Sequence, residues 1–270
     1  MRPALGCYVE IGVDAGAAEA ALAQAFAVIG EIHERMSFQS PDSALSRLNR
    51  AGGARVRLDR RTLQVLRLAK TIGAASEGRF NCTVGGELIA RGALPSLSTT
   101  VLGRGDHRDI VIDGESARLA RPVAITLDGI AKGFAVDCAV RALQRAGARG
   151  GWVNAGGDLR VFGACALPVS ARDTAGGLRP LGCLSHGALA SSWVGGDMPA
   201  AQAFPAFIAG ACDADAGEVF QVVARHAWRA DALTKVAACT PRAQRAALVA
   251  RLGAYLLESG PLPTMSSAPQ

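Results

Sequence analysis

The sequence predicts an α+β fold in which mixed, largely antiparallel sheets are flanked by helices. Three observations carry that expectation. Segments of period-2 alternation and segments of helical periodicity follow one another irregularly, without βαβ regularity. Around 152–162 a strand, a glycine pair and a second strand run together, as a tight hairpin requires. Hydrophobic residues make up 50% of 270 positions, enough for a sizeable core and too many for a disordered chain. No internal repeat or composition shift marks a boundary, so one domain is expected over 1–260, with PLPTMSSAPQ (261–270) as a disordered tail.

Tyr8-Val-Glu-Ile-Gly-Val alternates and reads as an edge strand. Asp14 is placed to cap a following helix with Leu22, Phe26, Ile29 and Ile32 inward, ending near Met36. A loop broken by Pro41 leads to a short turn capped by Asp42 or Ser43, and a second amphipathic helix after Asp59 turns Leu63, Leu66 and Ile72 inward. EGRFNCTVGGEL (77–88) is polar and punctuated by glycine, so it reads as a binding loop rather than a regular element. Ile110–Asp113 and Arg118–Ala120 form two short strands, and Val123–Leu127 forms another that runs straight into Asp128. Asp128 is placed to cap a helix from Gly129 to Ala146 with Val136, Val140 and Leu143 inward and Gly147 as its stop. Strands are expected at Gly187–Ser192, Val219–Val223 and Ala254–Glu258, with helices beginning near Ala230 and, with proline at its first position, at Thr240-Pro241.

The formal charge of +6 comes mostly from scattered arginines with no basic run, so no nucleic-acid partner is expected. The seven cysteines are widely spaced and odd in number, without a CxxC pair, which suits a reduced set of small core residues better than a disulfide framework or zinc site. Ala-Leu-Gly-Cys near the start resembles a lipoprotein cleavage box, but only six residues precede Cys7, too few for an apolar segment of about 7–15. No stretch approaches the roughly 20 apolar residues of a membrane span. Cytoplasmic location is the expectation from this sequence, and a periplasmic one if its true start lies upstream.

The chemistry concentrates in three places. At Thr126–Lys132 a strand meets a helix with a glycine for close approach and a lysine where the exposed amides are already partly positive, an unfavourable place for a cation unless an anion joins it. Two readings stand there: a phosphate cradle, or a capping Asp128 with Lys132 reaching to solvent. Asn154-Ala-Gly156-Gly157-Asp158 is either a plain hairpin turn or a turn that lets backbone approach a ligand beside an amide and a carboxylate. Asp231, Thr234 and Lys235 put acid, hydroxyl and ammonium within one helical turn, unless Asp231 only caps the helix. The four histidines are isolated, which leaves a histidine metal site or a Ser-His-Asp triad without support.

In their order along the chain, Leu5-Gly-Cys, MSFQSPDSALSRLN, FNCTVGGEL, DGIAKGFAVD, VNAGGD and ADALTKVA resemble the FAD:protein FMN transferase family, the ApbE-like flavin transferases. The resemblance covers nearly the whole chain and implies that fold. It also implies transfer of FMN from FAD to a threonine or serine hydroxyl of an acceptor protein, with release of AMP and with Mg²⁺ as cofactor. By the same resemblance Leu5, Phe38, Phe80, Asn81, Thr126 and Lys132 would line FAD, and Asn154, Gly156, Gly157 and Asp158 would shape the floor of the site. The metal would be held by the Gly129 carbonyl and the Asp231 carboxylate, an oxygen set that suits Mg²⁺.

The match breaks at points that bear on activity. The family pattern has aspartate where this chain has Thr126, and a threonine metal ligand where it has Lys235. Its His-x-x-Asp-Pro-x-Thr-Gly segment is replaced by FPAFIAGACDADAG (204–217), and its Ala-Thr-Ser-Gly by Ala190-Ser-Ser-Trp193. A catalytically impaired FAD-binding protein and an FAD pyrophosphatase releasing FMN and AMP therefore stand as alternatives to the transferase. The sequence assigns no catalytic base and no acceptor.

Overall fold

A computed structural model describes residues 1–14, 19–97, 100–172, 177–195, 208–215, 217–257 and 262. Its centre is a seven-stranded antiparallel sheet. The order across it is β1 (Arg2–Ala4), β2 (Cys7–Val13), β6 (Gly150–Ala155), β7 (Asp158–Gly163), β10 (Gly187–Trp193), β11 (Val219–Ala224) and β12 (Ala254–Leu257). The strand expected at the edge, β2, is flanked on both sides, because the chain before it folds back as β1 through a turn in which Leu5 and Gly6 take φ of 55° and 71°.

Alternation along the strands splits the core in two. Val153, Ala155, Phe162, Ala188, Ala190, Phe220, Val222 and Ala224 join the main core under the helices, while Leu159, Val161, Leu189 and Val223 face the other way. That second face is covered by a hairpin of β8 (Leu167–Arg172) and β9 (Leu178–Leu184), where Leu181 and Leu184 are buried. Leu262 packs on the same side and donates its N–H to the Leu181 carbonyl at 2.6 Å. No alternation in the sequence marks this hairpin, because Pro168, Pro180 and Gly182 interrupt the pattern a strand would show.

On the main face, α5 (Ala131–Arg145) packs on β6 and β7, α6 (Ala227–Ala238) packs on β10 and β11, and α1 (Glu19–Met36) lies over α5. The buried stripe of α1 is Ala21, Ala25, Ile29, Ile32 and Met36; Leu22 and Phe26, expected inward, lie at the margin because the close approach to α5 selects alanine. The expected cap by Asp14 depends on residues 15–18, outside the described residues. Ser43 caps α2 (Ala44–Arg50) by accepting from the Ser46 N–H at 2.9 Å, and Asp59 caps α3 (Arg60–Ala75) through the N–H groups of Arg61 and Thr62.

A small sheet of β3 (Val56–Arg57), β5 (Ser116–Leu119) and β4 (Ile110–Asp113) follows, in that order across it. The expected loop at 77–88 ends in a short helix, α4 (Gly85–Ala90). The expected strand at 123–127 has only a single parallel bridge, Val123 to Leu102. Its backbone partners lie elsewhere: the buried Asn49 side chain pairs with both the N–H and the carbonyl of Ile125 at 2.8 Å, and Thr126 donates to the Cys82 carbonyl at 2.9 Å. This pairing ties the 77–88 segment to the entrance of α5. At the far end, Thr240 does not cap; its hydroxyl donates back to Val236, Pro241 opens a 3₁₀ turn, and α7 (Arg245–Arg251) begins after it. No helix among the described residues is long and apolar enough to cross a membrane.

Candidate functional site

The residues expected to carry chemistry meet where α5 and α6 cross beside the β6–β7 turn. That turn is a two-residue hairpin with Gly156 and Gly157 both at positive φ, 57° and 98°, the conformation that glycine adopts without strain. Asn154 fixes it by accepting the Gly157 N–H at 3.1 Å, and the turn delivers Asp158, fully buried, beneath the first turn of α5. A side chain at Gly156 would strike Cys7, whose Sγ lies 3.0 Å from the position a Cβ would take.

Lys132, the second residue of α5, sets its Nζ 3.2 Å from Asp158 Oδ2. An anion does join the lysine at this helix start, and within the chain it is a carboxylate. Neither oxygen of Asp158 has a hydrogen-bond partner among the described residues, so charge rather than an aligned hydrogen bond holds the pair. Burial pushes the Asp158 carboxyl up to about 6, helped by the charge of Asp231 and opposed by Lys132. Asp158 in turn makes Lys132 more basic than an ordinary lysine, and burial raises the Cys7 thiol beside them. The lysine is half-buried, with 29% of its side chain exposed.

Asp128 does not cap α5. Its carboxylate turns back to accept the Thr126 hydroxyl at 2.9 Å, and burial raises its carboxyl above the usual carboxylate range. The cap comes from another element: Asp231, fully buried within α6, accepts the Gly133 N–H at 3.1 Å through Oδ2. The alternative in which Asp231 caps its own helix fails, because α6 starts at Ala227 and not near Ala230.

The other oxygen of Asp231 belongs to Lys235, whose Nζ lies 2.5 Å from Oδ1. Lys235 also donates to Ser192 Oγ at 2.9 Å, Ser192 Oγ lies 2.7 Å from Thr234 Oγ1, and Thr234 donates to the Asp231 carbonyl at 2.7 Å. Since Thr234 spends its proton on that carbonyl, Ser192 must donate to Thr234, and the four groups form one closed ring. Gly129 lies beside it; a Cβ there would sit 3.6 Å from Lys235 Cε and 3.5 Å from the Phe80 ring.

This donor set does not suit a divalent cation at Asp231. Mg²⁺ needs oxygen ligands in near-octahedral array at about 2.0–2.1 Å, and one carboxylate oxygen here carries an ammonium while the other carries an amide proton. Among the described residues no group of three or more histidine, cysteine or acidic side chains converges as a metal site.

Of the other expected residues, Phe80 and Phe38 are buried in the main core, and Leu5 is partly buried in the β1–β2 turn. Asn81 folds its loop: its Nδ2 donates to Gly105 at 2.7 Å and its Oδ1 accepts from both N–H and hydroxyl of Thr83. Among the described residues no hydrogen bond joins Phe38, Leu5 or Asn81 to the Lys132–Asp158 pair. Ser192 and Cys7 entered the cluster without being singled out as site residues; Ser192 reaches it because β10 pairs in register with β11 beneath α6.

The ApbE family matches residues 5–192. An FAD:protein FMN transferase of Rhodobacter capsulatus is 31% identical over 166 residues, 55% of this chain and 32% of that protein, so the chain spans about a third of that curated relative's length. The crystal structure of the ApbE protein from Thermotoga maritima superposes with a TM-score of 0.79 at 21% identity, covering 94% of this chain and 91% of that one. The flavin transferase ApbE from Vibrio cholerae gives 0.76 at 19% identity, covering 94% and 90%. The flavinyl transferase ApbE from Pseudomonas stutzeri, in its apo form, gives 0.73 at 18%, covering 93% and 89%. The α+β fold implied by the motif series is the fold these structures share.

Proposed function

Because the chain belongs to the ApbE family, we propose that it binds FAD at the α5–α6 crossing and transfers FMN to a threonine or serine hydroxyl of an acceptor protein, releasing AMP. The observation that carries this reading is Lys132, a part-exposed lysine at a helix start over the glycine hairpin, where a pyrophosphate would meet both amide dipoles and an ammonium. In the reaction the acceptor oxygen attacks the FMN phosphorus in line. The new phosphate ester bond forms as the bond to the bridging oxygen breaks, AMP leaves with the electron pair, and the hydroxyl proton passes to solvent.

The chain's contribution to such a step is position and charge. Lys132 and Lys235 are the ammonium groups at the crossing, and Asp231 holds the first turn of α5 in place through Gly133. In this reading Leu5, Asn81 and Thr126 would lie along FAD, Phe38 and Phe80 would back that surface from the main core, and Asn154, Gly156, Gly157 and Asp158 would form its floor. Magnesium, the remaining part of the expectation, would have had Gly129 and Asp231 as ligands; the ion pair at Asp231 argues against that role.

Mass spectrometry of an acceptor protein bearing a flavinylation threonine, after incubation with this protein and FAD, tests the proposal in parallel with Mg²⁺ and with EDTA. A covalent FMN adduct in either condition supports the transferase. Free AMP without an adduct means hydrolysis, and FAD bound without turnover means a binding protein, the reading that the occupied Asp231 favours if transfer fails.

A further inference from the structure

We propose that the Lys235 ammonium stands in for a divalent cation at Asp231, so that the site takes a pyrophosphate-bearing dinucleotide without recruiting a metal ion there. The inference rests on the FAD reading above, and its argument comes from the ring around Asp231. The carboxylate is buried with no exposed surface, and both of its oxygens are engaged, Oδ1 by Lys235 and Oδ2 by the Gly133 N–H. A cation entering from solvent would have to displace the ammonium, separating an ion pair one partner of which is fully buried.

The ammonium is held for a ligand as well as for Asp231. It carries three protons; one goes to Asp231, one to Ser192, and the third has no acceptor among the described residues. Ser192 cannot turn away, because its own proton is committed to Thr234, which is tied to the Asp231 carbonyl. A fixed ammonium with one open donor, on the helix that crosses the start of α5, offers an ionised phosphate oxygen a charge-assisted hydrogen bond. Threonine at 235 would remove the charge, free Oδ1 and supply a neutral oxygen, which is the change that opens the position to a hard cation.

The test uses the intact chain and two readouts. In the first, electron paramagnetic resonance measures Mn²⁺ bound to the FAD-free protein; in the second, quenching of flavin fluorescence measures FAD affinity with chelator and with excess Mg²⁺. The wild type is expected to bind no stoichiometric Mn²⁺ and to hold FAD equally, within about twofold, in both conditions. Lys235→Thr is expected to gain one Mn²⁺ per chain and to lose about tenfold in FAD affinity with chelator, recovering it with Mg²⁺.

One Mn²⁺ per wild-type chain, or a wild-type FAD affinity that rises about tenfold with Mg²⁺, overturns the proposal, and neither result depends on a variant folding. A folded Lys235→Thr that gains no Mn²⁺ also overturns it. If the wild type binds no FAD in any condition, the FAD reading falls by itself, while the Mn²⁺ measurements on both chains still decide whether Lys235 occupies a cation's place.

Discussion

Asp137 on α5 and Asp231 on α6 cap each other's helices across a single crossing. Asp137 accepts the Ala227 and Trp228 N–H groups at 3.1 and 3.0 Å, and Asp231 accepts the Gly133 N–H at 3.1 Å. Neither Ile130 nor His226, the N-cap residues, supplies a side-chain acceptor, so each start takes one from the other helix. The helices meet at Gly133, where a Cβ would lie 2.3 Å from the Ala227 carbonyl oxygen.

Gly133→Ala therefore forces α5 and α6 apart, and a loss of about 2–4 kcal/mol is expected in urea unfolding, from overpacking plus weakened caps. Gly30→Ala in α1, where a Cβ meets nothing within 4 Å, is expected to gain up to about 1 kcal/mol by helix propensity. The two changes are chemically identical, so equal responses would refute the crossing argument.

Asp137→Asn removes charge from a carboxylate that also pairs with Arg160, whose side chain is 16% exposed. An unpaired, nearly buried guanidinium and weakened caps predict a cost of about 3–5 kcal/mol. Thermal unfolding checks it, and Arg160→Met in the same background is expected to restore part of the loss.

Asp158 sets a pH window. Its folded carboxyl, near 6, lies above the ordinary 3.8, so its protonated form is favoured in the folded chain. Its contribution is fully present below about 4 and is lost as pH rises through about 6. Asp59, Asp106 and Asp109 have lowered carboxyls and act oppositely, below about 4. Unfolding free energies at pH 4.5 and 7 are expected to fall by roughly 2–3 kcal/mol more in wild type than in Asp158→Asn; a parallel pair of profiles would refute it.

An anionic ligand beside Lys132 raises Asp158 further, so FAD binding is expected to take up protons and to weaken as pH rises from 6 to 8. Calorimetry in two buffers of different ionisation enthalpy reads the uptake directly. Lys132→Gln is expected to lower FAD affinity tenfold or more, roughly the worth of one charge-assisted contact.

Thiol chemistry separates the cysteines. Cys183 is the exposed one, whereas burial pushes Cys82 up to about 12 and Cys239 up to about 11. One fast thiol is expected with a disulfide reagent in the native protein and seven after unfolding, with the fast one absent in Cys183→Ser.

Much of this architecture was legible in the residues. Periodicity located α3, the hairpin at Gly156-Gly157 and the strands β10 and β11, because each follows a local rule of turn chemistry or burial. The motif order singled out Lys132, Asp158, Asp231 and Lys235, which the fold brings together around the α5–α6 crossing. What local rules could not supply was partnership at long range. Asp128 stood in the sequence position of a cap and lost the role to Asp231, 98 residues from the amide it caps, and Val123–Leu127 lost its ladder to the Asn49 side chain, 76 residues away. Both outcomes depend on which elements pack together, and a spacing rule carries no information about that.

The reciprocal capping also bears on synthesis from the N-terminus. Helix α5 leaves the ribosome with its Gly133 amide unsatisfied, and it stays so until the chain has grown past Asp231. An arrested chain ending before Ala227 would thus hold α5 only by its packing, as a fraying segment with apolar surface open to chaperones. Commitment to the native state awaits α6, so resistance to proteolysis is expected only once the chain has grown past Asp231.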